Sequence, residues 1–322
     1  MSRLDTLRDA IQGPVFSVVT PFTEDEAIAW SSLEAYLHRV HEGGGRIFYV
    51  MAYNSRYSEL SVDEIATLNG FVTRTVKAMD PDAIVIVGDP LHCSTRVSMD
   101  FCRRARDDGA DLVSLIFREK FYSDDQVVRH FEACAGAADI GLLIHEMPFI
   151  SGLGGHTVNW PIELLDRIAD IDSVIAIKED AKDDAYSRDV VATLRDRLAI
   201  VISGGGKRQW MRFADDGCQA WLNGIGVFEP RLPTFFHAAW KRGDRALVQR
   251  IIDEVEVPFF DEIVARYGWH LGIKAAMEAR GVMARHERMP LMAVPDEAMT
   301  HVRQVMDVVG AAADEILRSQ GG

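Results

Sequence analysis

Cysteine and positive charge are both scarce in this chain, and long apolar runs are missing. None of its four cysteines is spaced as C-x-x-C, which is typical of reduced thiols and indicates a cytoplasmic location. The 35 Lys and Arg are outnumbered by 49 Asp and Glu, which gives a formal net charge of −14. Because phosphate groups and anionic lipids attract basic proteins, we expect no nucleic-acid or membrane partner. No apolar run approaches the roughly 20 residues of a membrane-spanning helix.

Short apolar runs recur along the chain with longer amphipathic stretches between them. A composition of 48% hydrophobic and 26% charged residues is typical of a globular protein. The short runs are rich in Val and Ile and apolar almost throughout, as in parallel strands that are buried on both faces. The predicted strands are 15–20, 46–52, 83–88, 111–117, 141–146, 173–178, 199–203 and 219–223.

Amphipathic stretches between these runs predict helices. Four of them open on a serine, which is a favoured N-cap residue: Ser31, Ser61, Ser94 and Ser123. The predicted helices are 31–42, 61–79, 94–108, 123–137, 161–169, 183–195, 207–216 and 230–242. Strict alternation of strand and helix favours a (β/α)8 TIM barrel over residues 1–242, with an open doubly wound sheet as the alternative.

No further strand is predicted after residue 242. The helices predicted there are 246–267, 270–280 and 295–319. We therefore expect residues 243–322 to form a C-terminal helical region packed on the barrel. The apolar residues of this region also favour a homo-oligomer, because they offer surface to bury against a partner.

Lys178 ends the sixth predicted strand, directly after the apolar residues 174–177. In a (β/α)8 barrel, functional side chains lie at the C-terminal ends of the strands and in the loops that follow. Burial lowers the pKa of a lysine, and a neutral amine can attack a ketone or aldehyde to form a Schiff base. The alternative is an ion pair with Glu146, Glu179 or Asp180, and position alone does not separate the two.

His145 ends the fifth predicted strand and is followed by Glu146. Imidazole titrates close to neutral pH, so we interpret His145 as a general acid or base beside the Lys178 amine. A hydrogen-bonded histidine at the barrel rim is the alternative. A divalent metal ion held by His145, Glu146, Glu179 and Asp180 is a second alternative, although no H-x-H or H-x-x-x-H pair lies at a strand end.

Polar residues follow the second and seventh predicted strands. Tyr53 and Asn54 come after the second strand, where side chains and backbone N–H groups can hold a carboxylate. Ser203 and Gly204 open a glycine-rich turn before a helix, and the N–H groups of such a turn suit a carboxylate or phosphate. An ordinary polar loop and a tight turn are the alternatives.

Five short segments together resemble the motifs of one family. They are V-V-T-P-F at 18–22, L-S-V-D-E at 60–64, D-G-A-D at 108–111, I-A-I-K-E at 175–179 and I-S-G at 202–204. On these segments the chain resembles the dihydrodipicolinate synthase / N-acetylneuraminate lyase family, from Gly13 to about Val309. The resemblance implies a (β/α)8 barrel, a Schiff base on Lys178 and a homotetramer built as a dimer of dimers.

The chain departs from this family at the residues that assist the lysine. The family's G-T-T-G-E loop, which holds the carboxylate of a 2-oxo acid, aligns with A-Y-N-S-R at 52–56. The family's catalytic tyrosine aligns with His145, and its P-Y-Y segment aligns with Phe117, Arg118 and Glu119. The arginine that binds the second substrate aligns near Ile150. We therefore expect no true dihydrodipicolinate synthase or sialic acid lyase activity.

The sequence thus predicts a cytoplasmic lyase or aldolase without a cofactor. Lys178 forms a Schiff base with a pyruvate-like or sugar-acid-derived 2-oxo acid, for C–C cleavage, condensation or dehydration. His145 takes the tyrosine's place as proton shuttle, oriented by Glu146 or Arg118. The alternatives are a metal-dependent barrel lyase or hydrolase, and a non-catalytic member of the family that binds a small molecule.

The predicted substrate contacts lie in loops, apart from Glu146 at the end of the fifth predicted strand, and they include Ser203 and Gly204. Tyr53 and Asn54 bind the carboxylate, and Arg56, Arg118 or Lys120 receives a second acidic group. Solvent-facing loop charges are the alternative interpretation of the three basic residues.

Overall fold

A computed structural model describes residues 2–117, 123–147, 159–203 and 206–319. Eight parallel strands close into a barrel in chain order, and the last strand pairs with the first. The strands are β1 (Gly13–Ser17), β2 (Ile47–Tyr49), β3 (Ile84–Gly88), β4 (Leu112–Leu115), β5 (Gly141–Glu146), β6 (Val174–Glu179), β7 (Ala199–Ile202) and β8 (Ala220–Asn223).

Helices separate the strands and follow the last one. Those in the described ranges are α1 (Arg3–Ala10), α2 (Trp30–Glu42), α3 (Val62–Met79), α4 (Thr95–Asp108), α5 (Asp124–Ala137), α6 (Ile162–Ala169), α7 (Asp184–Leu194), α8 (Gly206–Trp210), α9 (Arg231–Lys241), α10 (Arg245–Ile251), α11 (Ala265–Tyr267), α12 (Trp269–Ala279) and α13 (Asp296–Arg318). Two π-helical segments, Ile252–Glu256 and Phe259–Val264, lie between α10 and α11.

The apolar runs of the sequence form the strands of the barrel. Every residue of β3, β4, β5, β6 and β7 is buried, as expected for parallel strands covered on both faces. Each predicted strand is present. β5 has the predicted bounds, β1 begins two and ends three residues earlier, β6 is shifted by one residue, and the other strands are one to four residues shorter than predicted. Pairing of β8 with β1 decides for the TIM barrel and against the open doubly wound sheet.

Two of the four predicted serine caps form in full. The hydroxyls of Ser61 and Ser123 accept hydrogen bonds from the backbone N–H of the third residue of their helices. In each case the side chain of that third residue accepts a hydrogen bond from the backbone N–H of the serine. Ser94 precedes α4 without a capping bond from its side chain. The prediction for Ser31 is wrong, because α2 begins one residue earlier and has Ala29 at its N-cap.

The chain divides into two compact units. The first contains the described residues of Met1–Ser17, Ile47–Ala52 and Leu60–Asn223, and so includes all eight strands. The second contains the described residues of Val18–Arg46, Tyr53–Glu59 and Gly224–Gly322. The predicted boundary at residue 242 and the packing of the C-terminal helices on the barrel stay predictions. Within the described ranges, no helix is both long and apolar enough to cross a membrane.

Candidate active site

Lys178 and His145 lie side by side on adjacent strands. They are register partners in the pairing of β5 with β6, and both side chains are buried. The Nζ atom of Lys178 is 2.8 Å from the Nε2 atom of His145. The structure therefore brings together the two residues that the sequence analysis made central.

Both side chains face the interior of the barrel. The ring of His145 contacts the ring of Tyr49 edge-on, with 6.4 Å between centroids. Because β2 and β5 are not neighbours, this contact can form only through the barrel interior. The hydroxyl of Tyr49 in turn lies 2.5 Å from the hydroxyl of Ser114 on β4. A small polar cluster thus stands inside the barrel beside the lysine.

Lys178 has a second partner in Asp180, the residue that follows β6. The Oδ2 atom of Asp180 accepts a hydrogen bond from Nζ at 2.7 Å, and it lies 4.0 Å from Nε2 of His145. The ion pair that was left open as an alternative is therefore present, with Asp180 rather than Glu146 or Glu179. The amine is held between a carboxylate and an imidazole.

Glu146 and Glu179 point away from this cluster. Side chains alternate along a strand, so these residues lie on the face opposite to His145 and Lys178. The Oε2 atom of Glu179 accepts from the hydroxyl of Ser187 on α7 at 2.7 Å, and Oε1 of Glu146 accepts from the backbone N–H of Trp160 at 3.1 Å. The prediction that Glu146 orients His145 or binds substrate is therefore wrong.

The positions of His145, Glu146 and Glu179 argue against a metal site built from these residues. His145 and the two glutamates stand on opposite faces of their strands, so they cannot share one ion. Across the described part of the chain, no group of three or more His, Cys, Asp or Glu is arranged to hold a metal.

Burial sets the charge state of the imidazole. Burial and the positive charge of Lys178 lower the pKa of His145 well below its usual 6.5. The neutral ring can accept a hydrogen bond from the Lys178 ammonium at Nε2, which places its own proton on Nδ1. On the outer face, burial raises the pKa of Glu179 from 4.5 to about 7.

Asn54 and Tyr53 pack against α12. The indole N–H of Trp269 donates to Oδ1 of Asn54 at 2.8 Å. The ring centroids of Tyr53 and His270 are 6.0 Å apart. A Cβ atom at Gly224 would come within 2.9 Å of the Trp269 ring, so glycine is needed there for the indole to approach. An indole N–H can only donate, so this bond fixes which way the Asn54 amide points.

Arg56 does not offer its charge to a substrate. Its side chain is buried, and Nε and Nη2 bind the carboxylate of Glu287 at 2.7 to 3.2 Å. Nη2 also donates to the carbonyl of His270 and Nη1 to the carbonyls of Tyr53 and Asn54. All five N–H groups of a guanidinium can be used in this way. The prediction that Arg56 receives an acidic substrate group is therefore wrong.

Of the remaining predicted substrate contacts, only Ser203 lies in the part of the chain that the structure describes. The backbone N–H of Ser203 donates to the carbonyl of Glu179 at 2.8 Å, so this N–H is part of the barrel and does not face an anion. Arg118, Lys120 and Gly204 lie outside the described residues, and their roles stay predictions.

Three residues of the cluster were not assigned a role from the sequence. Asp180 entered only as an alternative ion-pair partner or metal ligand, and Tyr49 and Ser114 were assigned to apolar strands without a role of their own. The available signal was their polarity, since a hydroxyl within a run such as I-F-Y or L-V-S-L needs a hydrogen-bond partner once buried.

A closed parallel barrel with a buried lysine at the carboxyl end of β6 defines the class as a (β/α)8-barrel protein with a lysine-centred interior site. The chain matches the sequence model of the dihydrodipicolinate synthetase family over residues 10–309. It belongs to this family. Members of the family and the dehydratase relatives are carbon–carbon or carbon–oxygen lyases that act on small molecules, so the predicted enzyme class is confirmed.

Similar proteins carry more than one activity name. A probable 5-dehydro-4-deoxyglucarate dehydratase 1 of Streptomyces coelicolor is 22% identical over 305 residues, which is 92% of each chain. A 4-hydroxy-tetrahydrodipicolinate synthase of Corynebacterium aurimucosum is 25% identical over 297 residues, 91% of this chain and 93% of the relative.

Solved structures match the fold over nearly the whole chain. Dihydrodipicolinate synthase from Oceanobacillus iheyensis superposes with a TM-score of 0.82 at 17% identity, covering 96% of this chain and 99% of the other. YagE of Escherichia coli K12, a prophage protein of the dihydrodipicolinic acid synthase family solved in complex with pyruvate, gives 0.80 at 18% identity, with coverage of 94% and 99%.

Proposed function

We propose that this protein is a lyase that forms a Schiff base between Lys178 and a 2-oxo acid, either pyruvate-like or derived from a sugar acid. The observation that carries the proposal is a buried lysine inside the barrel whose Nζ atom lies 2.8 Å from the imidazole of His145. A protonated imine on Nζ withdraws electrons from the neighbouring carbon, which supports C–C cleavage, condensation or dehydration without an organic cofactor.

His145 serves this reaction as the proton shuttle. Its Nε2 atom is neutral and lies within hydrogen-bond reach of the nitrogen at which the substrate carbon would be attached. The base removes a proton from the carbon next to the imine carbon and returns one to the product. The resemblance puts His145 at the position of the family's catalytic tyrosine, and a true dihydrodipicolinate synthase activity is not part of the proposal.

Several finer assignments remain part of the proposal. Tyr53 and Asn54 bind the carboxylate of the 2-oxo acid, with the Ser203 hydroxyl and Gly204 as further contacts and Arg118 receiving a second acidic group. We also propose a cytoplasmic location and a homo-oligomer, either a dimer or a tetramer. Light scattering of the purified protein measures the oligomeric state directly.

Borohydride trapping tests the proposed imine. The protein is mixed with pyruvate or with 2-oxo sugar acids and reduced, and the intact mass of each variant is measured. We expect added mass on the wild type and none on Lys178→Ala. Lys207→Ala is the matched control, because Lys207 is a second buried lysine whose pKa burial lowers to about 7.

The control separates specific from adventitious labelling. Lys207→Ala is expected to be labelled like the wild type. Equal labelling of Lys178→Ala, or no labelling of the wild type by any 2-oxo acid, rejects the proposal. The second result would favour the non-catalytic alternative.

A further inference from the structure

Asp180 holds its carboxylate against the nitrogen that the proposed reaction uses. It stands two residues after Lys178 and directly after the end of β6, and the two side chains meet on the same side of the chain. Its Oδ2 atom is 2.7 Å from Nζ, and its side chain is 9% exposed. A charged amine cannot attack a carbonyl carbon, so a reacting Lys178 must first give a proton to a neighbouring group.

Two groups compete for this proton. Transfer to Asp180 leaves a neutral amine and a neutral carboxylic acid. Transfer to His145 instead leaves an imidazolium ion 4.0 Å from a carboxylate, both of them buried. Buried charges are costly, so the transfer that removes both charges is favoured. The lowered pKa of His145 favours the same direction.

We propose that Asp180 is the acid–base catalyst of imine formation, and that His145 acts only on the substrate carbon. This division of labour rests on the proposed Schiff-base function and extends it. It gives the two partners of Nζ separate steps of one reaction. Nothing in the family motifs assigns such a role to the second residue after the lysine.

Asp180 alone can carry every proton that imine formation requires. Asp180 accepts a proton from the Lys178 ammonium, and the free amine adds to the carbonyl carbon as the C=O π electrons move to oxygen. The carboxylic acid then protonates that oxygen. The resulting carboxylate takes a proton from the nitrogen and transfers it to the same oxygen. The C–O bond breaks and water leaves, while the nitrogen lone pair forms the C=N bond. The product is a protonated imine beside a carboxylate.

The carboxylate then stabilises the product of its own step. An iminium ion carries one positive charge, as the ammonium did, so the ion pair with Asp180 is restored around the new bond. His145 is neutral throughout this sequence and is free to accept a proton from the adjacent carbon. The two steps can therefore be measured apart.

Pyruvate serves as the probe for both steps. Borohydride quenching at increasing times after mixing gives the rate of imine formation. Proton NMR in deuterium oxide gives the exchange of the methyl protons, which requires removal of a proton from carbon. We expect Asp180→Asn to slow imine formation on the order of 10²-fold. Exchange per trapped imine should then stay near the wild-type value.

His145→Gln is expected to behave in the opposite way. It should form the imine at a rate within about threefold of the wild type and lose methyl exchange on the order of 10²-fold or more. Asp183→Asn is the matched control, since Asp183 caps α7 and asparagine caps equally well. Both rates should be unchanged in this control.

A second variant guards against a folding defect in Asp180→Asn. Asp180→Ala is assayed with and without added formate, a small carboxylate that can take the place of the missing side chain. We expect formate to restore imine formation in Asp180→Ala and to leave His145→Gln unaffected. Restoration by a diffusible acid is not expected of a residue that acts only through packing.

The outcomes separate this inference from the proposed function. Failure of the wild type to form an imine with any 2-oxo acid rejects both. An imine on the wild type, together with unchanged imine formation in Asp180→Asn, overturns the role of Asp180 and leaves the lysine chemistry standing. Equal loss of imine formation and methyl exchange per imine in both variants likewise overturns the division of labour.

Discussion

The Nε2 atom of His145 lies 2.8 Å from the Nζ atom of Lys178, and the two residues are register partners on adjacent parallel strands. Each therefore sets part of the other's electrostatic surroundings. Burial and the positive charge of Lys178 both lower the pKa of His145, so part of the decrease in this pKa is due to the lysine. Removing that charge should leave only the part due to burial.

We expect Lys178→Met to raise the pKa of His145 toward its usual value. The pKa is measured by following the imidazole proton signals with NMR as pH is varied in both proteins. His130 provides the internal control, because burial alone lowers its pKa to about 4. A substitution at Lys178 that left the pKa of His145 unchanged, or moved that of His130 equally, would contradict the coupling.

The barrel and its central lysine could be predicted because both are local in sequence. An apolar run of Val and Ile requires burial on two faces wherever it occurs, and a lysine directly after such a run must lie at the strand end. His145 follows from the same logic on the preceding strand. Alternation within the strand then decides which side chains face inward, and this excludes Glu146 and Glu179.

Other parts of the site depend on distant residues and could not be predicted in this way. A basic side chain in a loop, such as Arg56, is usually solvated. Its burial here depends on Glu287, which lies 231 positions further along the chain. No local pattern encodes that pairing. The choice of Asp180 as the partner of Lys178 likewise depends on how the chain turns after β6.

Glu179 makes stability depend on pH. Its carboxyl group is buried on the outer face and has a pKa raised from 4.5 to about 7. A carboxyl with a raised pKa binds more protons in the folded than in the unfolded protein. The free energy of unfolding therefore falls as pH rises from about 4.5 to 7. Glutamine in its place removes this dependence.

We expect Glu179→Gln to gain stability relative to the wild type as pH increases. The relative gain between pH 4.5 and pH 8 should approach ~3 kcal/mol, at about 1.4 kcal/mol for each pH unit of the raised pKa. Urea unfolding at the two pH values measures it. Asp89, whose pKa is also raised to about 7, is present in both proteins and cancels in the difference. Equal relative stability at both pH values would contradict the prediction.

Arg56 and Glu287 form an ion pair that is 1% exposed on each side. The carboxylate also accepts from Lys274 at 3.1 Å, so two cations share one buried carboxylate. Removing one partner of a buried pair leaves an uncompensated charge, which costs about 3–5 kcal/mol. We expect Glu287→Gln to lower the free energy of unfolding by this amount.

A double-mutant cycle isolates the interaction. Arg56→Met and Glu287→Gln are combined, and the double variant should be more stable than the sum of the single losses predicts. The exposed pair Arg103–Asp100, joined at 2.6 Å, is the matched control. There Arg103→Met should cost only about 0–1 kcal/mol. Strictly additive losses at Arg56 and Glu287 would show that the pair does not act as a unit.

Trp269 fixes the amide of Asn54 by donating to its oxygen at 2.8 Å. If Asn54 binds the carboxylate of the 2-oxo acid, as proposed, a fixed amide binds better than one that can turn over. Trp269→Phe keeps the ring and removes the N–H. We expect the pyruvate concentration that gives half-maximal imine trapping to rise about tenfold, which corresponds to about 1.4 kcal/mol. Labelling at saturating pyruvate should be unchanged.

Trp210→Phe is the control for the loss of an indole hydrogen bond. The N–H of Trp210 donates to the carbonyl of Cys218 at 2.9 Å, so this variant loses a comparable buried bond that does not involve Asn54. Its half-maximal pyruvate concentration should match that of the wild type. If Trp269→Phe also matched the wild type, or if both variants weakened pyruvate binding alike, the assignment of Asn54 to the carboxylate would be rejected.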